Sequence, residues 1–256
     1  MQTRSGAEIV VDADVVYKLH RPGTDPRALA ARLGIAAEAD SLLTPLAAAP
    51  DRIGTRLRTR WPLVEIVVPQ PECVPWAEAG RLLASLHGET VAKRPPPQGW
   101  PQRLRRAVET LRQTGHGDTI RRAAAGLPSE VLRPGSEDRP RTLVHGDWHL
   151  GQLGRRSPTA PWVLIDIDDL GVGDPVWDLA RPAGFWAAGL LPDADWHTLL
   201  ESYLAAGGVA IPTDDPWPVL EPFARAAVVV AAAAGLTHDE DDEAQEALVA
   251  ACARML

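Results

Sequence analysis

Two histidines, an aspartate and a glutamine crowd into LVHGDWHLGQL, residues 143–153, between apolar flanks. A second carboxylate, Asp166, closes the apolar run WVLID 19 residues after Asp147, and Gln152 follows Asp147 by five. Two carboxylates and an amide oxygen brought to one point offer hard oxygen ligands for Mg²⁺ and a base for a hydroxyl proton. A Mg²⁺ ion with so few protein ligands completes its shell with water and substrate phosphates. That is the layout of a phosphoryl transferase. The plain alternative is a turn in which Asp147 is only a cap.

Other polar residues nearby have plainer uses. Asp174 precedes Pro175 and is placed to cap a helix. Asp168 and Asp169 read as turn or cap residues with a substrate-side role as the alternative, and His149 has the same two readings. The acid run HDEDDE at 238–243 is biased toward a helix N-terminus, where negative charge suits the dipole. Trp148, beside Asp147, is a candidate wall of an acceptor pocket.

These residues need elements to position them. EIVVD (8–12) and DVVYKLH (14–20) are β-branched runs separated by a short turn, and predict an antiparallel hairpin. Residues 25–43 read as one helix, with Asp25 as N-cap and Pro26 in the first turn. GTRLRTRW and LVEIVVP, between 54 and 69, predict two more strands. Residues 75–88 form an amphipathic helix ending at Gly88, and 93–101 a linker. Helices are expected at 102–115, 118–126, 175–189, 194–206, 216–235 and 239–254, interrupted by strands at 141–146 and 162–168. Those two strands, joined by a tight loop, would set Asp147 and Asp166 side by side. The fold class is α+β, with a small β-rich lobe over 1–72 and a larger helical lobe over 73–256.

Composition narrows the function further. A chain of 256 residues with net charge −8 argues against a nucleic-acid binder living on phosphate contacts, and is compatible with a cationic small substrate. Cys73 and Cys252 have no metal-ligand spacing. The N-terminus lacks a signal-peptide core, and AAVVVAAAAGL (226–236) is too short and Ala-rich for a bilayer. A cytoplasmic protein without membrane partners is expected. Lys18 and Lys93 are the only lysines beside an abundance of arginine. A lysine kept inside a strand therefore calls for a site where a compact ammonium is wanted.

HGDWHLGQL followed by LIDIDDLGVGDPVWDLA resembles the catalytic and metal-binding segments of the aminoglycoside phosphotransferase and choline kinase-like family, small-molecule kinases of the protein-kinase-like fold. WAEAGRLLASLHG is similar to the helix that follows the hinge there, and the resemblance spans about residues 8–190. It implies a two-lobed kinase fold with a reduced N-lobe, and transfer of the γ-phosphoryl group of ATP or GTP, with Mg²⁺, to a hydroxyl of a small molecule. By the resemblance Asp147 is the catalytic base and Asp166 the main Mg²⁺ ligand. Gln152 stands where the family has a metal-ligating asparagine. Lys18 matches the lysine on the α- and β-phosphates, with Glu38 as its ion-pair partner, and His145 and Asp178 brace the catalytic loop. An aminoglycoside or other hydroxylated antibiotic is the leading expectation for the acceptor. A metabolic kinase for a sugar or amino alcohol is the alternative, and a pseudokinase-like nucleotide-binding module the rival from another class. Two departures stand out. Gln152 carries one methylene more than asparagine, and only TRSGAE is available ahead of the first strand to cover the phosphates, which predicts a weakened nucleotide grip.

Overall fold

In the computed structural model, residues 6–67, 74–90, 95–133, 138–238 and 242–256 are described. The β-branched runs at the start form the expected hairpin, β1 (Glu8–Asp12) and β2 (Val15–Leu19), antiparallel with Val11 opposite Val16. Ala13 turns the corner at φ 52°. On its other edge β2 pairs with β4 (Arg56–Pro62), which pairs back with β3 (Asp51–Ile53), giving the antiparallel order β1-β2-β4-β3. Lys18 thus lies in an inner strand, with Ile9 and Thr59 as its cross-strand neighbours.

Helix α1 (Pro26–Ala36) starts as expected, the Asp25 side chain accepting from the Arg27 and Ala28 N–H groups. It ends seven residues short of Leu43, because a long-range pairing takes the next segment. Leu43 N donates to Leu164 O at 2.8 Å and Leu164 N to Ser41 O at 2.8 Å. Glu38 therefore sits in the turn beyond the helix, exposed to solvent.

In the stretch expected as a strand over LVEIVVP, the described residues supply β5 (Glu65–Ile66). It joins neither β2 nor β4 but pairs with β7 (Leu153–Arg155), beyond the HGDWHLGQ loop, which in turn pairs with β8 (Val163–Leu164). The expected lobe boundary at residue 72 lies outside the described residues, as do Cys73, Lys93 and most of TRSGAE.

Helices α2 (Trp76–Gly88), α3 (Trp100–Glu109), α4 (Gly115–Ala125), α5 (Val176–Ala187), α6 (Asp193–Ala205), α7 (Trp217–Thr237) and α8 (Glu243–Ala253) build the helical half. Helix α3 begins inside the expected linker and stops at Glu109, so its start is Trp100, a large apolar anchor. Trp100 stacks on Trp177 of α5 at 4.5 Å between ring centroids, and Phe223 of α7 meets Trp177 edge-on at 4.9 Å. Helix α7 is long and apolar enough to cross a membrane by length and composition. It packs instead on α3, α4, α5 and α8, burying Leu220, Phe223, Val228 and Val229.

The strands expected to set Asp147 and Asp166 side by side differ from expectation in their partners. β6 (Thr142–Val144) pairs with β9 (Gly171–Gly173), not with β8. Asp147 and Asp166 thus follow strands of two separate small sheets, so no single hairpin holds them.

Candidate active site

The HGDWHLGQ loop leaves β6 through Gly146, whose φ of +79° and close approach to the Asp169 carbonyl (2.3 Å from where a Cβ would stand) both require glycine. Its backbone is held from α5. The buried Asp178 carboxylate accepts from the His145 N–H at 2.7 Å through Oδ2 and from the Gly146 N–H at 2.9 Å through Oδ1. His87 of α2 lies 3.1 Å from Oδ2, and its Nδ1 is 2.8 Å from the Tyr203 hydroxyl of α6. Tyr203 in turn accepts from Ala210 N at 2.9 Å. All these groups are satisfied if Tyr203 donates to Nδ1 and the His87 Nε2–H donates to Asp178. Burial pushes the Asp178 carboxyl up, but the His87 and His145 contacts outweigh it and hold it below the usual carboxylate range.

The His145 ring ties the two chemical loops together. Its Nε2 lies 2.8 Å from the Ile165 carbonyl, next to Asp166, while Nδ1 faces the Asp147 N–H at 3.4 Å. Gln152 joins the same junction: Ile165 N donates to its carbonyl at 2.9 Å. The Gln152 side chain is mostly buried, with its amide nitrogen 3.2 Å from His149 Nε2. His149 also caps the short 3₁₀ turn Leu150–Gln152, its Nδ1 accepting from Gly151 N.

Asp166 adopts φ 63°, a left-handed conformation that is costly for a non-glycine residue and is found at sites where the geometry is overdetermined. Its Oδ1 accepts from Lys18 Nζ at 2.7 Å and from Asp168 N at 3.1 Å. Lys18 also pairs with Asp168 at 3.0 Å, and His20 Nδ1 lies 3.2 Å from that carboxylate. Burial works against the Lys18 charge, yet the attraction of Asp166 and Asp168 exceeds it and raises the ammonium above its ordinary value. Asp168 is depressed against its own burial by Lys18 and His20. Lys18 takes its carboxylates from the helical half, whereas Glu38 lies past the end of the helix that was to present it.

Asp147 faces a different set. Arg103 Nη1 of α3 stands 2.8 Å from its Oδ1 and Arg181 Nη1 of α5 stands 3.9 Å away. Arg103 also pairs with Asp169. Burial raises the Asp147 carboxyl above the usual range, opposed by the charges of Arg103 and Arg181.

Structure therefore adds Asp168, Asp169, His20, His87, Arg103 and Arg181 to the residues expected. Asp168 had a signal, two positions past Asp166 in a run of acids. Arg103 had none, since one arginine among so many carries no mark in the sequence.

The donor set suits Mg²⁺. Asp166 and Asp168 offer carboxylate oxygens that are 36% and 35% exposed, against the single fixed charge of Lys18. Among the described residues no group of three or more His, Cys, Asp and Glu side chains could hold a metal on its own.

The model of the phosphotransferase enzyme family matches residues 9–223. Among solved structures, a choline/ethanolamine kinase family protein from Mesorhizobium loti superposes with TM-score 0.64 at 18% identity, over 97% of this chain and 84% of that one. Choline kinase LicA from Streptococcus pneumoniae gives 0.67 at 13% identity, over 97% and 89%. An aminoglycoside phosphotransferase from Streptomyces rimosus gives 0.58 at 18%, over 89% and 93%. At these identities the likenesses establish the two-lobed α+β kinase-like fold. Among curated proteins, none matches the chain by sequence.

Proposed function

Since the chain belongs to the phosphotransferase enzyme family, we propose that it moves the γ-phosphoryl group of ATP, held with Mg²⁺, onto a hydroxyl of a small molecule. Family membership makes it a small-molecule phosphotransferase; the nucleotide, the ion and the residue roles belong to this proposal. The observation that supports it most is the junction at His145, which fixes the Asp147 and Asp166 loops to each other through Ile165.

Lys18 moves from Asp166 and Asp168 to the α- and β-phosphates, keeping its charge paired in a buried position. Asp166, with the Gln152 amide oxygen, would hold Mg²⁺, which when bound neutralises charge on the β- and γ-phosphates. Asp147 orients the acceptor hydroxyl and takes its proton. The new bond runs from that oxygen to the γ-phosphorus, and the bond to the bridging oxygen breaks with ADP leaving as the anion. Catalysis of this kind is mainly positioning and charge neutralisation. ATP binding is also in keeping with a cytoplasmic location.

For the acceptor, net charge −8 suggests a cationic antibiotic such as an aminoglycoside, and the choline and ethanolamine kinases among the similar structures suggest an amino alcohol. The charge immediately around Asp147 runs the other way.

The test compares wild type with Asp166→Ala by calorimetry with ATP and Mg²⁺ and by slow ADP release into water. Wild type is expected to bind Mg·ATP and hydrolyse it slowly, and the variant to lose both while keeping its circular dichroism spectrum. Wild-type affinity in the variant removes Asp166 from the metal site. Binding without any turnover in the wild type makes the protein a nucleotide-binding module instead.

A further inference from the structure

The acceptor side of the site is basic in an acidic molecule. Arg103 and Arg181 reach Asp147 from two different helices, and both remain about a third exposed, at 29% and 32%. Three more arginines share this field. Arg106, on the next turn of α3, is influenced by Arg21, Arg103 and Asp169, while Arg32 is influenced by Arg21, Asp168 and Asp169. Burial, together with the Arg21 charge, lowers both guanidinium groups from their ordinary value. Arg103 also keeps a buried Nε donor without a hydrogen-bond partner. Arg103 and Arg181 thus face Asp147, and Arg103, Arg32 and Arg106 bear on Asp169, with Asp168 engaged by Lys18 and His20.

Arg103 and Arg181 stand against the general base, and although burial raises its carboxyl above the usual range, their charges oppose its taking a proton. Something must draw the guanidiniums off as the hydroxyl arrives. An ammonium-rich acceptor does the reverse, placing its own charges against Arg103 and Arg181. An anion does what the chemistry asks, because the planar guanidinium fork matches carboxylate and phosphate oxygens in pairs.

We propose that the acceptor carries an anionic group, a carboxylate or a phosphate, near the hydroxyl that is phosphorylated, and that Arg181 and Arg103 bind that group. The proposal rests on Asp147 being the acceptor-side base. The bound anion takes over the two guanidiniums, and Asp147 is freed to receive the hydroxyl proton. The oxygen–γ-phosphorus bond then forms as ADP departs with the electron pair of the broken bond. Arg181 is a specificity-determining residue of this step.

The test uses one carbon scaffold with four charges: glucose, glucosamine, gluconate and glucose 6-phosphate, with kanamycin as a polycation. ADP release above hydrolysis into water is measured for each with Mg·ATP, and the product is identified by mass spectrometry. Stimulation by gluconate alone identifies a carboxylate, by glucose 6-phosphate alone a phosphate, and by both an anion in general. In Arg181→Gln the KM for the stimulating anion should rise roughly 10- to 100-fold, the worth of a hydrogen bond to a charged group. Arg181→Lys should recover part of that loss, which a purely structural role would not show. The proposal is overturned by preference for glucosamine or kanamycin, by anions no better than glucose while hydrolysis into water proceeds, or by an unchanged KM in Arg181→Gln. Absence of nucleotide binding and of hydrolysis overturns the kinase reading itself, a result distinct from these.

Discussion

Asp147 and Gln152 are the residues whose chemistry depends most on a few ångströms. Asp147→Asn keeps the shape of the loop but removes charge and base. Nucleotide affinity should persist while turnover falls roughly 10²–10⁴-fold, the usual contribution of general-base assistance; calorimetry and product mass spectrometry on the same preparation check the two halves. Loss of nucleotide binding would place Asp147 at the metal. For Gln152, the side-chain amide rests against His149 Nε2 at 3.2 Å, so an ion must draw its oxygen away from that contact. Gln152→Asn should retain substantial activity and Gln152→Leu lose most of it, read from initial rates across a Mg²⁺ titration. Equal rates would remove the amide from the metal. The sequence singled out both residues as candidates because the motif that carries them is local. The arginines on Asp147 were not singled out, since Arg103 arrives from a helix 44 positions away whose start is anchored by the stacking of Trp100 on Trp177.

At the scale of elements, Asp178 ties several parts of the fold together. It links α5 to the catalytic loop, and through His87 and Tyr203 to α2 and α6. Asp178→Asn leaves at least one of its three donors unmatched and should cost about 3 kcal/mol, the penalty for a buried unsatisfied group beside a charge. Its carboxyl is depressed in the folded protein, so the stability it contributes is fully present above the unfolded aspartate pKa of about 3.9 and is lost as pH falls through the lower folded value. Urea unfolding at pH 7 and near pH 3 should show a gap between wild type and variant that narrows in acid; a constant gap would deny the linkage. The sequence showed the elements better than their partners. Periodicity located α2, α5, α6 and α7 closely, because each buries one long apolar face. It overextended α1, where the hydrogen bonds of Ser41 and Leu43 to Leu164 override a helical pattern, and it paired β6 with the wrong strand. Strands of two or three residues have too little pattern of their own; their partners are settled by the chain around them.

Across the whole molecule, the Lys18 pair spans from the first sheet to the segment after β8, so one ion pair joins parts of the chain 148 residues apart. Replacing Lys18 by Met removes the ammonium and leaves Asp166 and Asp168 facing each other. The variant should bind Mg·ATP more weakly and should unfold at a lower temperature, by scanning calorimetry, than wild type. Wild-type nucleotide affinity would show that the phosphates are held without this residue.

That pair also sets an order of arrival. While Lys18 occupies Asp166 and Asp168, a free divalent cation must evict an ammonium to enter, and a nucleotide without a cation must pull the lysine off two carboxylates. Each ligand alone meets a rival already seated. Arriving together they exchange partners, with phosphate going to the ammonium and cation to the carboxylates, and no buried charge is left alone. With the proposed roles of Lys18 and Asp166, the protein would be a cooperative receptor for the ion–nucleotide pair: calorimetric titration with Mg²⁺ alone should give little heat, and each ligand should tighten the other by the same factor. An idle enzyme of this design would stay closed to free magnesium until the nucleotide comes.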